Sequence, residues 1–159
     1  MTESDWPAVG EIYAQGIATG EATFETEIPE WSAWDRSHLP RCRLVAESAD
    51  GIVGWAALSP VSSRCVYGGV AEVSVYTAER VRGRGVGRAL LTALVEESER
   101  EGFWSLRAGM FPSNVGSVAL HEACGFREVG CHEGVGQLSG VWRDVLLMER
   151  RSKTVGVDR

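Results

Sequence analysis

The stretch that most constrains this chain runs from Val70 to Gly102, "VAEVSVYTAERVRGRGVGRALLTALVEESEREG". Its first eight residues alternate, which sets Val73 and Val75 on one face of a strand and Glu72, Ser74 and Tyr76 on the other. A glycine-rich turn follows at once. "GRALLTALVEESEREG" then repeats its apolar residues at helical spacing and stops at Gly102. The turn packs Arg80, Arg82, Arg84 and Arg88 around Gly83, Gly85 and Gly87, in a chain of formal net charge -6. Clustered positive charge in an acidic protein asks for an anion. A glycine turn at a helix N-terminus aims backbone N–H groups at one point, where the helix dipole also favours negative charge.

The flanking sequence makes the class mixed α/β. Asp5 is a plausible N-cap, Pro7 sits in the first turn, and Val9, Ile12, Tyr13 and Ile17 recur at helical spacing. "PEWSAWDRSHLP" reads as a short helical piece closed by Pro40. "RLVAES" and "IVGWAALSPV" flank Asp50-Gly51, a hairpin signal. "WSLRAGMF" is a further strand, and "NVGSVALHEACGF" is a helix that Asn114 caps and Gly125 stops. "REVGCHEGVG" and "GVWRDVLLMER" are two last strands. The expectation is one domain over residues 1–151 and a frayed polar tail over 152–159.

Several function classes drop out. Binding a phosphate backbone takes an extended basic face, and the acidic balance argues against nucleic acid. No apolar run reaches the roughly 18 residues of a membrane helix. "MTESDWPAV" has neither a basic nor an apolar leader region, so the expected location is the cytoplasm. Cys42, Cys65, Cys124 and Cys131 form no C-x-x-C pair, and they read as ordinary thiols of a reducing cytosol, with a disulfide or metal site as the lesser alternative. A phosphate-cradling G-x-x-x-x-G-K-S/T loop is excluded because the chain has no Gly-Lys pair. A dinucleotide fingerprint would need glycine at position 88, which is Arg88.

What remains is R-x-x-G-x-G, spelled from Arg82 to Gly87 after a strand with a mid-strand acid. This resembles the acyl-coenzyme-A loop of the GNAT N-acetyltransferases. "GIATGEATFET", "SSRCVYGGVAEVSVY", "PSNVGSVALHEACGF" and "GVWRDVLLME" extend the likeness from about Asp5 to Glu149. Together they are similar to the phosphinothricin acetyltransferase branch, with its methionine sulfoximine and arsinothricin relatives. The resemblance implies the GNAT fold, a central mixed twisted sheet flanked by helices, with acetyl-CoA beside the central strand and the loop–helix after it. It implies no metal, a small amine as acceptor and a homodimer.

Residue by residue, Glu72 matches the family's proposed general base. Val75, Tyr76 and Thr77 match the backbone beside the pantetheine arm. Gly83, Arg84, Gly85, Val86, Gly87 and Arg88 match the pyrophosphate cradle. Asn114 matches a coenzyme hydrogen-bonding side chain, and His121 stands where many members place a tyrosine near the thiol. Phe24, Arg64, Tyr67, Val73 and Ser74 match the acceptor pocket.

The residue types themselves support part of this. Glutamate is uncommon in strands, and desolvation beside Ala71, Val73 and Val75 would raise the Glu72 pKa towards that of a useful base. Asn114, Ser117 and His121 form one helical stripe. Glu72 also reads as an edge-strand glutamate in water or paired with an arginine, Asn114 as a simple N-cap, His121 as a structural histidine, and Arg64 as a surface charge. Two departures from the branch, Glu25 beside Phe24 and Gln137-Leu138-Ser139 before Gly140, bear on the acceptor. Acetylation of a protein N-terminus or lysine stays open as an alternative, as does coenzyme binding without turnover.

Overall fold

The chain folds in the order α1 (Trp6–Ala18), α2 (Trp31–Ser37), β1 (Leu44–Ser48), β2 (Gly51–Pro60), β3 (Val70–Thr77), α3 (Val86–Arg100), β4 (Ser105–Met110), α4 (Val115–Ala123), β5 (Arg127–Leu138) and β6 (Val141–Arg151). This computed structural model describes residues 1–157. The strands form one mixed sheet in the order β1-β2-β3-β4-β6-β5. Only β3 and β4 run parallel, joined through α3 as a parallel pair requires.

Helices cover both faces, and the strands carry two apolar patterns at once. On β2, Ala56 and Leu58 join the core under α3 with Leu90, Leu91 and Leu94. Their neighbours Trp55 and Ala57 join the core under α1 and α2 with Val9, Ile12 and Trp34. A strand buried on both sides reads as a continuous apolar run, which explains "WAAL". Trp34 and Trp55 are core residues, 2% and 1% exposed, with their rings crossed edge to face.

The β5–β6 hairpin outruns its neighbour. β4 pairs β6 only from Leu146 to Arg151, so Val141–Val145 and the matching part of β5 project beyond the sheet. Ser139 and Gly140 turn this hairpin with φ of 50 and 80. Trp142 is exposed there, with Val135 and Val141.

The tail differs from expectation. Ser152 is buried; its N–H donates to the Trp104 carbonyl, and its Oγ accepts from the N–H groups of Thr154 and Val155. The Arg151 guanidinium donates to the carbonyls of Trp104, Ser152 and Val155. Polarity suggested fraying, but here the polar groups satisfy one another against the end of the sheet. Residues 158 and 159 lie outside the described part.

Candidate active site

β3 is hydrogen-bonded to β2 along its length, from Ala71 to Thr77. On its other edge it pairs with β4 at only three positions, Val70 with Ser105, Ala71 with Leu106 and Glu72 with Arg107. Beyond Glu72 the two strands diverge, and the Val73–Thr77 edge faces an opening. A cleft of about 950 Å³ fills that opening. An extended ligand can lie there as a surrogate strand, taking up main-chain groups that β4 has left.

Three walls close the cleft. Val73 to Thr77 and the turn at Val81–Gly83 and Gly85–Arg88 form one. α4 forms the second, with Asn114, Ser117 and His121. The third is the loop after α1, from Thr19 to Glu25, with Phe111 beside it.

The turn's geometry suits an anion. Gly83 and Gly85 have φ of 76 and 83, which side-chain-bearing residues rarely adopt. The first intrahelical bond of α3 runs from the Ala89 N–H to the Gly85 carbonyl. Val86, Gly87 and Arg88 are therefore first-turn donors with no carbonyl partner among the described residues.

With this geometry in view, the comparisons are direct. The Acetyltransferase (GNAT) family matches residues 6–126. The chain belongs to the GNAT acetyltransferase family. A phosphinothricin N-acetyltransferase of Alcaligenes faecalis is 36% identical over 94% of this chain and 79% of its own. A GNAT superfamily phosphinothricin acetyltransferase of Sinorhizobium meliloti, solved in complex with AcCoA, superposes with TM-score 0.89 at 29% identity. That match covers 100% of this chain and 89% of the other. A ribosomal-protein-alanine N-acetyltransferase of Brucella melitensis gives TM-score 0.86 at 32% identity, over 96% and 97%.

Within the GNAT cleft, Glu72 sits at the crotch where β3 and β4 part. Its side chain is reachable from the cleft mouth while protein crowds it from behind. That desolvation raises its pKa above the ordinary carboxylate value, and Arg107, its partner on β4, pulls the other way. His121 is buried, with its ring edge-on to Phe126. Its Nδ1 lies 2.7 Å from the Ser117 carbonyl, so Nδ1 carries the proton and Nε2 is left as an acceptor. Burial holds its pKa below the usual histidine value, and the bond to Ser117 opposes this.

Asn114 is the N-cap of α4, its Oδ1 accepting from the Ser117 N–H at 3.2 Å. Its Nδ2 donates to the Glu21 carbonyl, also at 3.2 Å. The residue both caps its helix and ties the first loop to it.

Not every expected residue meets in the cleft. Phe24, Val73, Ser74, Val75, Tyr76, Thr77, Gly83, Gly85, Val86, Gly87 and Arg88 line it; Arg64, Tyr67 and Arg84 do not. Arg64 lies in the exposed turn before β3, its guanidinium 5.6 Å above the Tyr67 ring. The Arg84 N–H donates to the Val81 carbonyl and serves the turn itself.

Two arginines escaped the sequence reading. Arg107, in register with Glu72, is one; a lone arginine in "WSLRAGMF" has no local signal. Arg143, in "GVWRDVLLME", is the other. It reaches across the fold to Glu21, 122 positions away in sequence. Among the described residues no cluster of histidine, cysteine and carboxylate groups is arranged to hold a metal, and no helix is long and apolar enough to cross a membrane.

Proposed function

We propose that this GNAT enzyme transfers the acetyl group of acetyl-CoA directly to the α-amino group of a small amino-acid analogue of the phosphinothricin or methionine sulfoximine kind. The observation that carries this reading is the parting of β3 and β4 immediately after Glu72. It places the free strand edge, the glycine turn and the loop from Thr19 to Glu25 around one cleft.

The residues fit the co-substrate. The unpartnered first-turn N–H groups of α3, with Arg82 and Arg88, suit its phosphates, and the Val73–Thr77 edge suits its amide-bearing arm. When bound, acetyl-CoA supplies an acyl group activated as a thioester. Glu72 accepts a proton from the acceptor ammonium, so that the neutral amine attacks. The main chain near Val75 donates towards the carbonyl oxygen. His121, neutral with Nε2 as an acceptor, holds a water, and the proton that the amine nitrogen sheds as the amide forms passes through that water to the departing thiolate. Asn114, Phe24, Val73 and Ser74 shape the site, and Arg64 and Tyr67 take part only if the turn before β3 reaches the acceptor.

A thiol-release assay over amino-acid analogues tests this, with calorimetry for acetyl-CoA. No acetyl-CoA binding would sink it. The likeness to the Brucella alanine acetyltransferase favours a second reading, transfer to a protein N-terminus. Peptides beginning with alanine, competed against phosphinothricin and methionine sulfoximine, separate the two.

We further read residues 1–151 as one catalytic domain of a cytoplasmic homodimer. The exposed Val135, Val141 and Trp142 of the projecting hairpin support an assembly surface. Sedimentation at micromolar concentration showing only a 17.3 kDa species would overturn the dimer.

A further inference from the structure

Arg143 lies on β6, in the part of the hairpin that β4 does not pair. Both terminal nitrogens of its guanidinium are bonded. Nη2 donates to Glu21 Oε2 at 2.9 Å and to Ser113 Oγ at 3.3 Å, and Nη1 donates to the Gly20 carbonyl at 3.2 Å. Its Cζ lies over the Phe111 ring, 4.0 Å from the ring centre. Ser113 Oγ in turn donates to Glu21 Oε2, and Asn114 Nδ2 holds the Glu21 carbonyl. Phe24, three residues along the same loop, meets Phe111 edge to face at 4.9 Å.

One side chain thus joins three distant segments. The loop from Gly20 to Phe24 is the acceptor wall of the cleft, and Phe111 to Asn114 leads into α4, the wall that carries His121. The third segment is the β6 strand from which Arg143 projects. Phe24 is partly exposed, and the turns at Thr19–Glu21 and Thr23–Glu25 are held locally by threonine hydroxyls. Nothing in those local bonds fixes where the loop sits against α4. Charge-assisted bonds of a planar guanidinium, lying over a ring, supply both direction and strength for that purpose.

We infer that Arg143 is the positioning residue of the acceptor wall. It fixes the loop from Gly20 to Glu25 against α4 through Glu21 and does not itself touch the acceptor. This rests on the acetyl-transfer reading of the cleft. Because Glu21 already occupies the guanidinium, Arg143 offers no free charge to an anionic group on the amine. Its loss therefore weakens all acceptors alike.

The test uses the full chain and two variants, Arg143→Met and Glu21→Gln, which break the same bond from opposite ends. Each is expected to raise the KM for the amine about tenfold, with kcat within about threefold and acetyl-CoA affinity within about twofold. The double variant is expected to cost clearly less than the sum of the singles, because both break the shared Arg143–Glu21 pair, while each also loses contacts of its own at Gly20 or Ser113. Arg143→Lys should restore only part of the loss, since a point charge lacks the fork. Phosphinothricin and methionine sulfoximine should suffer equally. A penalty confined to phosphinothricin would make Arg143 a direct anion contact and overturn the proposal, as would an unchanged KM or additive single effects.

Hydrogen exchange supplies a readout independent of turnover. Both variants should speed exchange at residues 19–25 at least tenfold and leave α3 unchanged. If the unmodified protein acetylates no amine, the catalytic reading fails on its own, and the exchange result still decides whether Arg143 anchors the loop. Glu21→Gln, on an accessible loop, covers the case in which Arg143→Met does not fold.

Discussion

Glu72 and Arg107 face each other across the last hydrogen-bonded rung between β3 and β4. Glu72, the proposed base, is thus held where the sheet still has both edges paired, one residue before it opens. Arg107 continues into a row across the sheet: it is in register with Glu149 on β6, and Glu149 pairs with Arg127 on β5.

Glu72→Gln keeps the shape and loses the proton acceptor. General-base catalysis is worth about 10²–10⁴-fold, and kcat should fall within that range. Acetyl-CoA affinity should hold, because the turn from Gly83 to Arg88 is untouched. The acidic limb of kcat against pH should vanish in Glu72→Gln and survive in His121→Ala. The opposite pattern would transfer the base to His121.

Arg107 sets where that limb lies. Desolvation raises the Glu72 pKa and the Arg107 charge restrains the rise. Removing the charge in Arg107→Gln moves the pKa further up. The carboxylate is then protonated over a wider range of acid pH, and kcat falls more at pH 6 than at pH 8. Arg107→Lys should leave the profile in place. An unshifted limb in Arg107→Gln would rule out this control.

Gly85, at φ 83, is the N-cap of α3. Alanine in a left-handed conformation costs roughly 1–2 kcal/mol, which the turn can escape by leaving its binding geometry. Gly85→Ala should therefore weaken acetyl-CoA binding by about 5–30-fold in calorimetry, with little change in amine KM at saturating acetyl-CoA. Unaltered acetyl-CoA affinity would mean that the turn does not depend on this geometry.

Gly136 on β5 leaves room for a ring. A Cβ there would come within 2.9 Å of Phe24 Cζ. Since Phe24 is half exposed, Gly136→Ala should push the ring away from Phe111 and leave stability nearly intact. Amine KM should rise severalfold while the melting temperature stays within a few degrees. A large loss of melting temperature with normal KM would show the contact to be structural only.

Wherever the physics is local, the sequence was sufficient. Strand alternation separated Val73 from Glu72, Asn114 capped its helix from one position before it, and Gly102 and Gly125 ended theirs, both at positive φ. The glycine turn before α3 was legible for the same reason, since a helix N-terminus needs only its own first residues to present donors.

What the tertiary structure alone decided was the parting of β3 and β4, the partnership of Glu72 with Arg107, and the clamp of Arg143 on Glu21. It also left Arg64 and Tyr67 outside the cleft, despite their family match, and packed a tail that composition marked as frayed. Each of these depends on which distant segments come together, and no periodicity within a segment encodes that. A guanidinium reads the same on paper whether it faces water or a carboxylate 122 positions away; only packing the hairpin against the first loop distinguishes the two.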